Sequence, residues 1–201
     1  MFAKIALHSH YTAIMSSPDP DVLSGDSLLD RAAQLLITPT ALADLSAVDA
    51  LKVVSQMVPQ RLLRGTVFIK EGELTYTDFM MLIIDGEVMV RNEVSASTSG
   101  GNLMSVIGPG SMIGEMGLLD GEPRSATCTA STDLTVAILS RDTLLYLIQS
   151  EPAVSARLLL AICKRLSDRL REANRKIKIL DGLSRALQQE LDVAHKPPGK
   201  S

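Results

Sequence analysis

Two residues suited to a binding site, an acid and an arginine, lie nine residues apart in one short stretch of the chain. Glu115 and Arg124 both fall in the sequence from Gly114 to Thr127, which separates two strand-like runs. The planar donor fork of an arginine suits a phosphate, and a carboxylate accepts a hydrogen bond from a sugar hydroxyl. The pair therefore indicates a small nucleotide site. The alternative is a solvated ion pair on a surface turn, which contributes little to stability.

Glycine is the second feature of this stretch. Gly114 and Gly117 carry no side chain, so backbone amides at these positions can approach a ligand closely. A turn of this composition can gather N–H groups into a nest, which is a natural anion site. The sequence therefore predicts phosphate contacts from main-chain amides as well as from the arginine.

Composition places the chain among globular proteins. It has 201 residues, of which 46% are apolar, enough for one domain with extensions. Charged residues make up 21% and the net charge is −3, which disfavours a general nucleic-acid binder. No run approaches the roughly 20 apolar residues that span a membrane. Cys128 and Cys163 both lie in apolar periodic segments, which predicts reduced, buried thiols and a cytoplasmic protein.

The histidines do not indicate a metal site. His8, His10 and His195 all lie near the chain ends, and no acid or thiol is grouped with the first two. We expect them to be histidines of disordered tails rather than metal ligands.

The N-terminal part is predicted to be flexible and then helical. Residues 1–25 show no sustained periodicity. A helix is expected from Asp26 or Ser27 to Leu36, followed by a stop at Thr38-Pro39. Two further helices are expected over 41–45 and, capped by Ser46, to about Met57, the second with these residues inward: Val48, Leu51, Val54 and Val58.

From residue 60 the pattern becomes that of short strands. Strands are expected at 61–64, 66–69, 79–84, 87–91, 104–107, 126–130 and 134–139. Asp85-Gly86 predicts a hairpin turn, and the polar residues 95–102 predict a mobile hairpin tip. About eight strands at this spacing indicate an antiparallel barrel or jelly roll.

The last third is predicted to be helical. Ser140 is expected to cap a helix that ends near Gln149, and Pro152 to open a long one. Apolar residues then step by four and three, with only Ser184 interrupting them: Leu166, Leu170, Ala173, Ile177, Leu180, Leu187 and Leu191. This seam is typical of a two-stranded coiled coil and predicts a homodimer through residues 158–191. A helix packed on its own barrel explains Leu158 to Leu166 but not the continuing seam.

The same helix is basic, with a net charge of +6 between Arg157 and Arg185. We interpret the charge first as a solvated face. Attraction of an anionic ligand or acidic partner is the second interpretation, and DNA binding is the third.

The central stretch resembles the phosphate-binding cassette of the cyclic nucleotide-binding domain family, which includes the catabolite activator protein and the regulatory subunits of cAMP-dependent kinases. The matching positions are Gly114, Glu115, Met116, Gly117, Leu118, Arg124, Ser125 and Ala126. The resemblance implies that Glu115 holds the ribose 2′-hydroxyl and Arg124 the cyclic phosphate. Amides near Met116 and Ser125, with the Ser125 hydroxyl, would complete the phosphate cradle. Removal of Arg124 is expected to abolish binding and to leave the fold intact.

The resemblance covers residues from about 40 to 180 and implies an α+β fold: an antiparallel β jelly-roll barrel with N-terminal helices and a long C-terminal dimerisation helix. The expected divisions are an N-terminal extension over 1–40, the cyclic nucleotide-binding β-roll over 41–150, the dimerisation helix over 151–192 and a disordered tail over 193–201.

Base recognition is expected to involve the long helix. Alignment with the catabolite activator protein places Arg169 and Leu170 where that protein reaches the adenine. Leu170 can pack on a purine face, and Arg169 can stack or donate to guanine. Because cAMP is the commonest ligand in the family that the chain resembles, the expected ligand is cAMP, with cGMP or a cyclic dinucleotide left open.

The expected function is that of a stand-alone cyclic nucleotide sensor that signals through an unknown effector protein. Transcription factors of the family continue into a helix-turn-helix domain, whereas about ten residues follow Leu191 here, so no DNA-binding domain is expected. One alternative is a ligand-independent homodimeric interaction module with a vestigial site. Another is a phosphodiesterase, for which the sequence offers no clustered metal ligands and no nucleophile–base pair near the cassette.

Overall fold

A computed structural model describes residues 26–92 and 103–194. The predictions on residues 1–25, on the 95–102 hairpin tip, on the three histidines and on the end of the tail lie outside these residues.

Five helices and eight strands make up the described part of the chain. The helices are α1 Asp26–Leu36, α2 Ala47–Val54, α3 Glu115–Asp120, α4 Arg141–Ser150 and α5 Pro152–Ala194. The strands are β1 Val58–Leu62, β2 Val67–Ile69, β3 Phe79–Asp85, β4 Val88–Asn92, β5 Leu103–Ile107, β6 Met112–Ile113, β7 Thr127–Ala130 and β8 Leu134–Ser140. The two-residue strand β6 was absent from the sequence-based prediction.

The strands form two antiparallel sheets, which confirms the predicted jelly roll. One sheet has the order β1-β8-β3-β6 and the other the order β2-β7-β4-β5. Their facing sides enclose a core that includes Phe68, Phe79, Met81, Ile83, Val88, Cys128, Leu134, Val136 and Ile138. This alternation of inward residues along β3 and β8 is the pattern that two packed sheets require.

Strand β3 is buried on both faces. Phe79, Met81 and Ile83 enter the core between the sheets. The alternate residues Met80 and Ile84 are also buried, because α1 and α2 cover the other face of this sheet. A continuous apolar run, rather than an alternating one, is what such a strand needs.

The hairpin predicted at Asp85-Gly86 is wrong. Strand β3 pairs with β6 and β8, whereas β4 pairs with β5 and β7 in the other sheet. Gly86 has a φ of 87°, and a Cβ atom there would clash with the carbonyl oxygen of Asp133. Glycine is required here by close packing against a neighbouring turn, and the chain crosses between sheets at this point.

Two predicted helix caps are confirmed. The Ser46 Oγ accepts from the backbone N–H of Asp49 at the start of α2, and the Ser140 Oγ accepts from that of Thr143 at the start of α4. Both are serine N-caps, which satisfy an amide that has no partner inside the helix.

The predicted inward face of α2 is correct at Val54, which is buried, and wrong at the other three positions. Val48, Leu51 and Val58 are 66%, 42% and 39% exposed, while Asp49 and Val53 are buried. Asp49 can occupy the inner face because the Arg157 guanidinium pairs with both of its carboxylate oxygens at 2.7 Å. An aspartate in a helix is normally expected to face solvent. The sequence-based prediction therefore placed Asp49 on the outer face of α2.

The helix predicted at 41–45 is replaced by successive turns. The N–H groups of Ala41 and Leu45 bond to the carbonyls three residues earlier, and no i→i+4 ladder follows. The hydroxyls of Thr38 and Thr40 both donate to the Gly110 carbonyl, at 3.3 and 2.9 Å. These side-chain bonds dock the connection onto a loop of the roll and compete with helix formation.

The chain divides into two compact units, residues 1–162 and 163–201. The first turns of α5 belong to the first unit, where Val154, Leu158 and Ile162 are buried. From Ser167 to Leu191 every residue of α5 is exposed.

The cysteine prediction is half correct. Cys128 is buried in the core of the roll, whereas Cys163 is exposed at the start of the second unit. Within residues 26–92 and 103–194, no helix combines the length and the apolar character needed to cross a membrane.

Candidate functional site

The cassette folds around the short helix α3, where the sequence indicated only a turn. Left-handed glycines lie at its two ends, Gly114 with a φ of 83° and Gly121 with a φ of 74°. Leu118 is 1% exposed and anchors the helix in the core. Because six residues cannot sustain a helix in water alone, the orientation of α3 depends on the contacts that its ends make.

Arg124 holds the N-terminal end of α3 from inside the protein. Its Nη1 donates to the Gly114 carbonyl at 3.0 Å, and its Nη2 donates to the carbonyls of Tyr76 and Phe79 at 3.0 and 3.1 Å. The guanidinium carbon lies 4.3 Å from the centroid of the Phe79 ring, a cation–π distance. The side chain is 5% exposed, so this arginine is a built part of the site.

The cassette glycines make room for this guanidinium. A Cβ atom on Gly114 would lie 2.8 Å from Arg124 Nη1. One on Gly117 would lie 2.9 Å from the same nitrogen and 2.8 Å from the Thr77 carbonyl oxygen. Sequence reasoning assigned these glycines to close ligand approach; in the structure they admit the arginine.

Glu115 is the first residue of α3 and is 2% exposed. A negative charge is favourable at this end of a helix. Burial raises the pKa of the Cys128 thiol to about 12, and the charges of Arg124 and Glu115 act on it in opposite directions. The three side chains therefore share one neighbourhood. The burial of both Glu115 and Arg124 excludes the alternative of a solvated surface pair.

The segment 76–79 faces the cassette through its backbone. Tyr76 has a φ of 63°, a left-handed conformation that is costly for a tyrosine. Its carbonyl takes the bond from Arg124, and the Thr77 hydroxyl donates to the Gly121 carbonyl at 3.2 Å. Sequence reasoning missed this segment, because no residue type in it signals a left-handed backbone.

Arg141 holds the C-terminal end of α3. Its Nε donates to the Leu118 carbonyl at 2.9 Å and its Nη2 to the Gly117 carbonyl at 3.0 Å. Its backbone N–H donates to the Asp78 carbonyl at 2.7 Å. This residue was also missed. The available signal was its position: it is the first residue of α4, where a positive charge opposes the helix dipole.

The turn between β2 and β3 braces the arginine from the other side. The backbone of Arg124 donates to the Glu73 carbonyl at 3.1 Å and accepts from Gly72 at 2.8 Å. The Thr127 hydroxyl accepts from the Glu71 amide at 3.1 Å. Gly72 has the positive φ, 75°, expected of a turn glycine at this position.

Three of the remaining predicted site residues lie in the cassette itself. Met116 is 42% exposed, Ser125 is exposed, and Ala126, just before β7, is half-buried. Arg169 and Leu170 belong to the second unit, where Leu170 is 63% exposed. The assignment of all nine residues to a ligand stays a prediction.

The site offers a cation, a carboxylate and main-chain amides, which together suit an anionic ligand that also carries hydroxyl groups. In the described ranges, which exclude 93–102 and both ends, no group of three or more His, Cys, Asp or Glu side chains is placed to hold a metal ion.

Fold and cassette define the class: a jelly-roll ligand-binding domain with a buried glutamate and arginine, followed by a long helix. Residues 59–151 match the family model described as cyclic nucleotide-binding domain, and the chain belongs to this family through that segment.

Similar proteins agree with this assignment. The chain is 30% identical over 142 residues, 70% of its length, to a CRP-like cAMP-activated global transcriptional regulator of Mycobacterium tuberculosis, and it spans 58% of that relative's length. It is 35% identical over 101 residues, half of its length, to a cAMP-dependent protein kinase regulatory subunit of Yarrowia lipolytica, and covers 25% of it. A crystal structure of a cyclic nucleotide-binding domain from Methylobacillus flagellatus superimposes with a TM-score of 0.64 at 29% identity, covering 76% of this chain and 83% of that one.

Proposed function

We propose that the protein is a cyclic nucleotide sensor, with cAMP as its preferred ligand, that passes a ligand-dependent change to an effector protein. The observation that carries the proposal is the burial of both Glu115 and Arg124 within one cassette. The names of two relatives, both of which refer to cAMP, support the choice of ligand.

The cyclic phosphate is held by the Arg124 guanidinium, the amides of α3 and Ser125, and the ribose 2′-hydroxyl donates to Glu115. Arg124 donates to three backbone carbonyls. A charged phosphate is a stronger acceptor than a carbonyl, so binding redistributes these bonds. The carbonyls belong to Gly114, Tyr76 and Phe79, and ligand binding is thereby linked to the backbone on both sides of the site.

Base recognition involves Arg169 and Leu170 of the long helix. The charge of Arg169 and the apolar surface of Leu170 suit a stacked purine. Guanine presents two adjacent acceptors to an arginine, O6 and N7, whereas adenine presents only N7 beside an amino donor. The ligands to compare with cAMP are therefore cGMP and cyclic di-GMP.

The protein is a homodimer through residues 158–191. Five seam residues of α5 are between 53% and 63% exposed: Leu170, Ile177, Leu180, Leu187 and Leu191. A heptad stripe of this kind is stabilised when a second helix covers it. Three ion pairs along the same helix, Arg171–Asp168, Lys176–Glu172 and Arg185–Asp181, support the interpretation of its basic residues as a solvated face.

A second candidate is a homodimeric interaction module that binds no nucleotide. The observation that favours it is the engagement of Arg124 by three protein carbonyls, which accounts for a buried arginine without any ligand.

Calorimetric titration with cAMP, cGMP and cyclic di-GMP tests the proposal. We expect cAMP to bind most tightly and Arg124→Lys to weaken it by about tenfold to a hundredfold, because lysine keeps the charge and loses the fork. The matched control is Arg31→Lys, since the Arg31 pair with Asp85 is more than half exposed.

The outcomes separate the two candidates. Binding that is unchanged in Arg124→Lys contradicts the site assignment. A folded wild-type protein that binds none of the three ligands supports the interaction module.

We further propose that the protein binds its ligand without turning it over, as expected from the regulators among its relatives. Chromatography of cAMP after prolonged incubation with the protein is expected to recover the intact nucleotide. Formation of a 5′-nucleotide would establish a phosphodiesterase instead.

A further inference from the structure

The cassette helix α3 is held from outside at both ends, by a different arginine at each. Arg124 bonds the carbonyl of Gly114 at the start, and Arg141 bonds those of Gly117 and Leu118 in the last turn. Carbonyls in the last turn of a helix generally lack an amide donor inside the helix, although the Gly117 carbonyl also accepts from the Gly121 N–H at 3.0 Å. Here two of them converge on one planar donor fork.

The two arginines differ in what a ligand does to them. Arg124 is the proposed phosphate contact, so its bonds change on binding. Arg141 donates to two carbonyls of α3 through its side chain and to the Asp78 carbonyl through its backbone. The hydrogen bonds from Arg141 to α3 are therefore kept when ligand binding changes those of Arg124 at the other end of the helix.

Because α3 is short, the contact of Arg141 with Gly117 and Leu118 also determines the position of Glu115. The helix has six residues, with Glu115 first and Gly117 and Leu118 in the middle. A displacement of the middle by a fraction of an ångström moves the carboxylate and the neighbouring amides together, since they share one and a half turns of helix. Hydrogen bonds to a ligand are sensitive to shifts of this size.

The absence of a side chain at Gly121 leaves room for the Arg141 guanidinium. A Cβ atom on Gly121 would lie 3.3 Å from Arg141 Nη2, and Gly121 has a φ of 74°. The chain thus leaves α3 through a residue that accommodates the guanidinium. The position of Arg141 at the start of α4 further ties α3 to the helix that precedes α5.

We propose that Arg141 is a positioning residue of the nucleotide site: it holds the cassette helix so that Glu115 meets the ribose 2′-hydroxyl. This inference rests on the proposed function, because it assigns a role within that site.

Comparison of cAMP with 2′-deoxy-cAMP tests the role directly. The deoxy ligand lacks the hydroxyl that Glu115 accepts, so the ratio of the two affinities reports how well Glu115 is placed. We expect wild type to prefer cAMP by about tenfold or more, the value of one hydrogen bond to a charged group. In Arg141→Gln this preference is expected to fall toward one, with Arg141→Lys between the two.

The control variant is Arg31→Gln, which removes an exposed ion pair with Asp85 remote from the cassette contacts. It is expected to keep the full preference for cAMP. Thermal unfolding without ligand is measured for every variant. A purely structural role for Arg141 predicts a lower melting temperature with both ligands weakened by the same factor.

The outcomes distinguish this inference from the function on which it rests. A full preference for cAMP in both Arg141 variants overturns the inference and leaves the sensor function standing. If Arg141→Gln does not fold, the ratio in Arg141→Lys decides by the same criterion. Absence of cyclic nucleotide binding by the folded wild type overturns both.

Discussion

A side chain at Gly117 would overlap the Thr77 carbonyl oxygen and the Arg124 guanidinium. We predict that Gly117→Ala lowers the free energy of unfolding by about 1–3 kcal/mol, because the new Cβ overlaps a backbone carbonyl that cannot move aside. Chemical denaturation measures the loss, and nucleotide affinity is expected to fall with it.

Gly182 is the matched control for this substitution. Nothing lies within 4 Å of a Cβ at that position. Gly182→Ala is therefore expected to stabilise the helix by up to about 1 kcal/mol. Equal effects of the two changes would contradict the assignment of Gly117 to close packing.

We expect removal of the whole Arg124 side chain to affect stability as well as binding, whereas the sequence alone predicted that the fold stays intact. Arg124→Ala leaves three backbone carbonyls without their donor. We predict a loss of about 2–4 kcal/mol in the free energy of unfolding. Urea unfolding of the purified variant measures it, and an unchanged midpoint would show that water replaces the guanidinium without cost.

Residue types and spacing were sufficient to single out Glu115 and Arg124, the buried charged side chains of the cassette. They were not sufficient for Tyr76 or Arg141. The role of Tyr76 depends on a positive φ that its side chain does not signal, and the role of Arg141 depends on a contact 23 residues away in sequence. Contacts of this kind exist only after the chain has folded.

At the scale of elements, an ion pair with a buried carboxylate joins α2 to the first turns of α5. Hydrogen bonds from Arg157 and then Ser46 lower the pKa of Asp49 from 3.8 to about 2. The carboxylate side chain is 6% exposed and the guanidinium 51% exposed. The pair therefore fixes the helix before the roll against the helix after it.

This pair predicts an acid-dependent loss of stability. Because the folded pKa lies below the unfolded value, the stabilisation is complete above about pH 4 and is lost as the pH falls toward 2. Asp49→Asn is expected to cost about 1–2 kcal/mol at pH 7 and to flatten the stability curve between pH 4 and 2.

Denaturation across that pH range measures the effect, with Asp85→Asn as the control, since the Asp85 pair is more than half exposed. An Asp49→Asn curve parallel to that of wild type through the acid range would contradict the role of the pair.

Element types were predictable where periodicity was strong. The apolar run at 79–84 and the capped helix starts at Ser46 and Ser140 are confirmed. The crossing at Asp85-Gly86 was not predictable, because the same dipeptide serves a hairpin and a change of sheet. The face of α2 was misjudged because burial of Asp49 depends on an arginine 108 residues further along the chain.

At the scale of the whole molecule, the seam on α5 predicts assembly. Leu180→Asp is expected to convert the proposed dimer to a monomer, because it places two like charges at the centre of an apolar contact. Ile179→Asp is the matched control: the adjacent residue is equally exposed, 63% in both cases, and lies off the seam.

Sedimentation velocity distinguishes the two variants. Dimers from both would contradict the seam, and monomers from both would indicate that the helix surface as a whole, rather than its heptad stripe, mediates association.

The contrast between the two cysteines has a practical consequence for following this assembly. A maleimide reacts with thiolates, and the buried Cys128, with a pKa of about 12, offers almost none at neutral pH. Cys163 is exposed. The natural sequence therefore accepts a single spectroscopic label at the start of the second unit, and spin labels on two copies of the chain would report their separation with and without nucleotide.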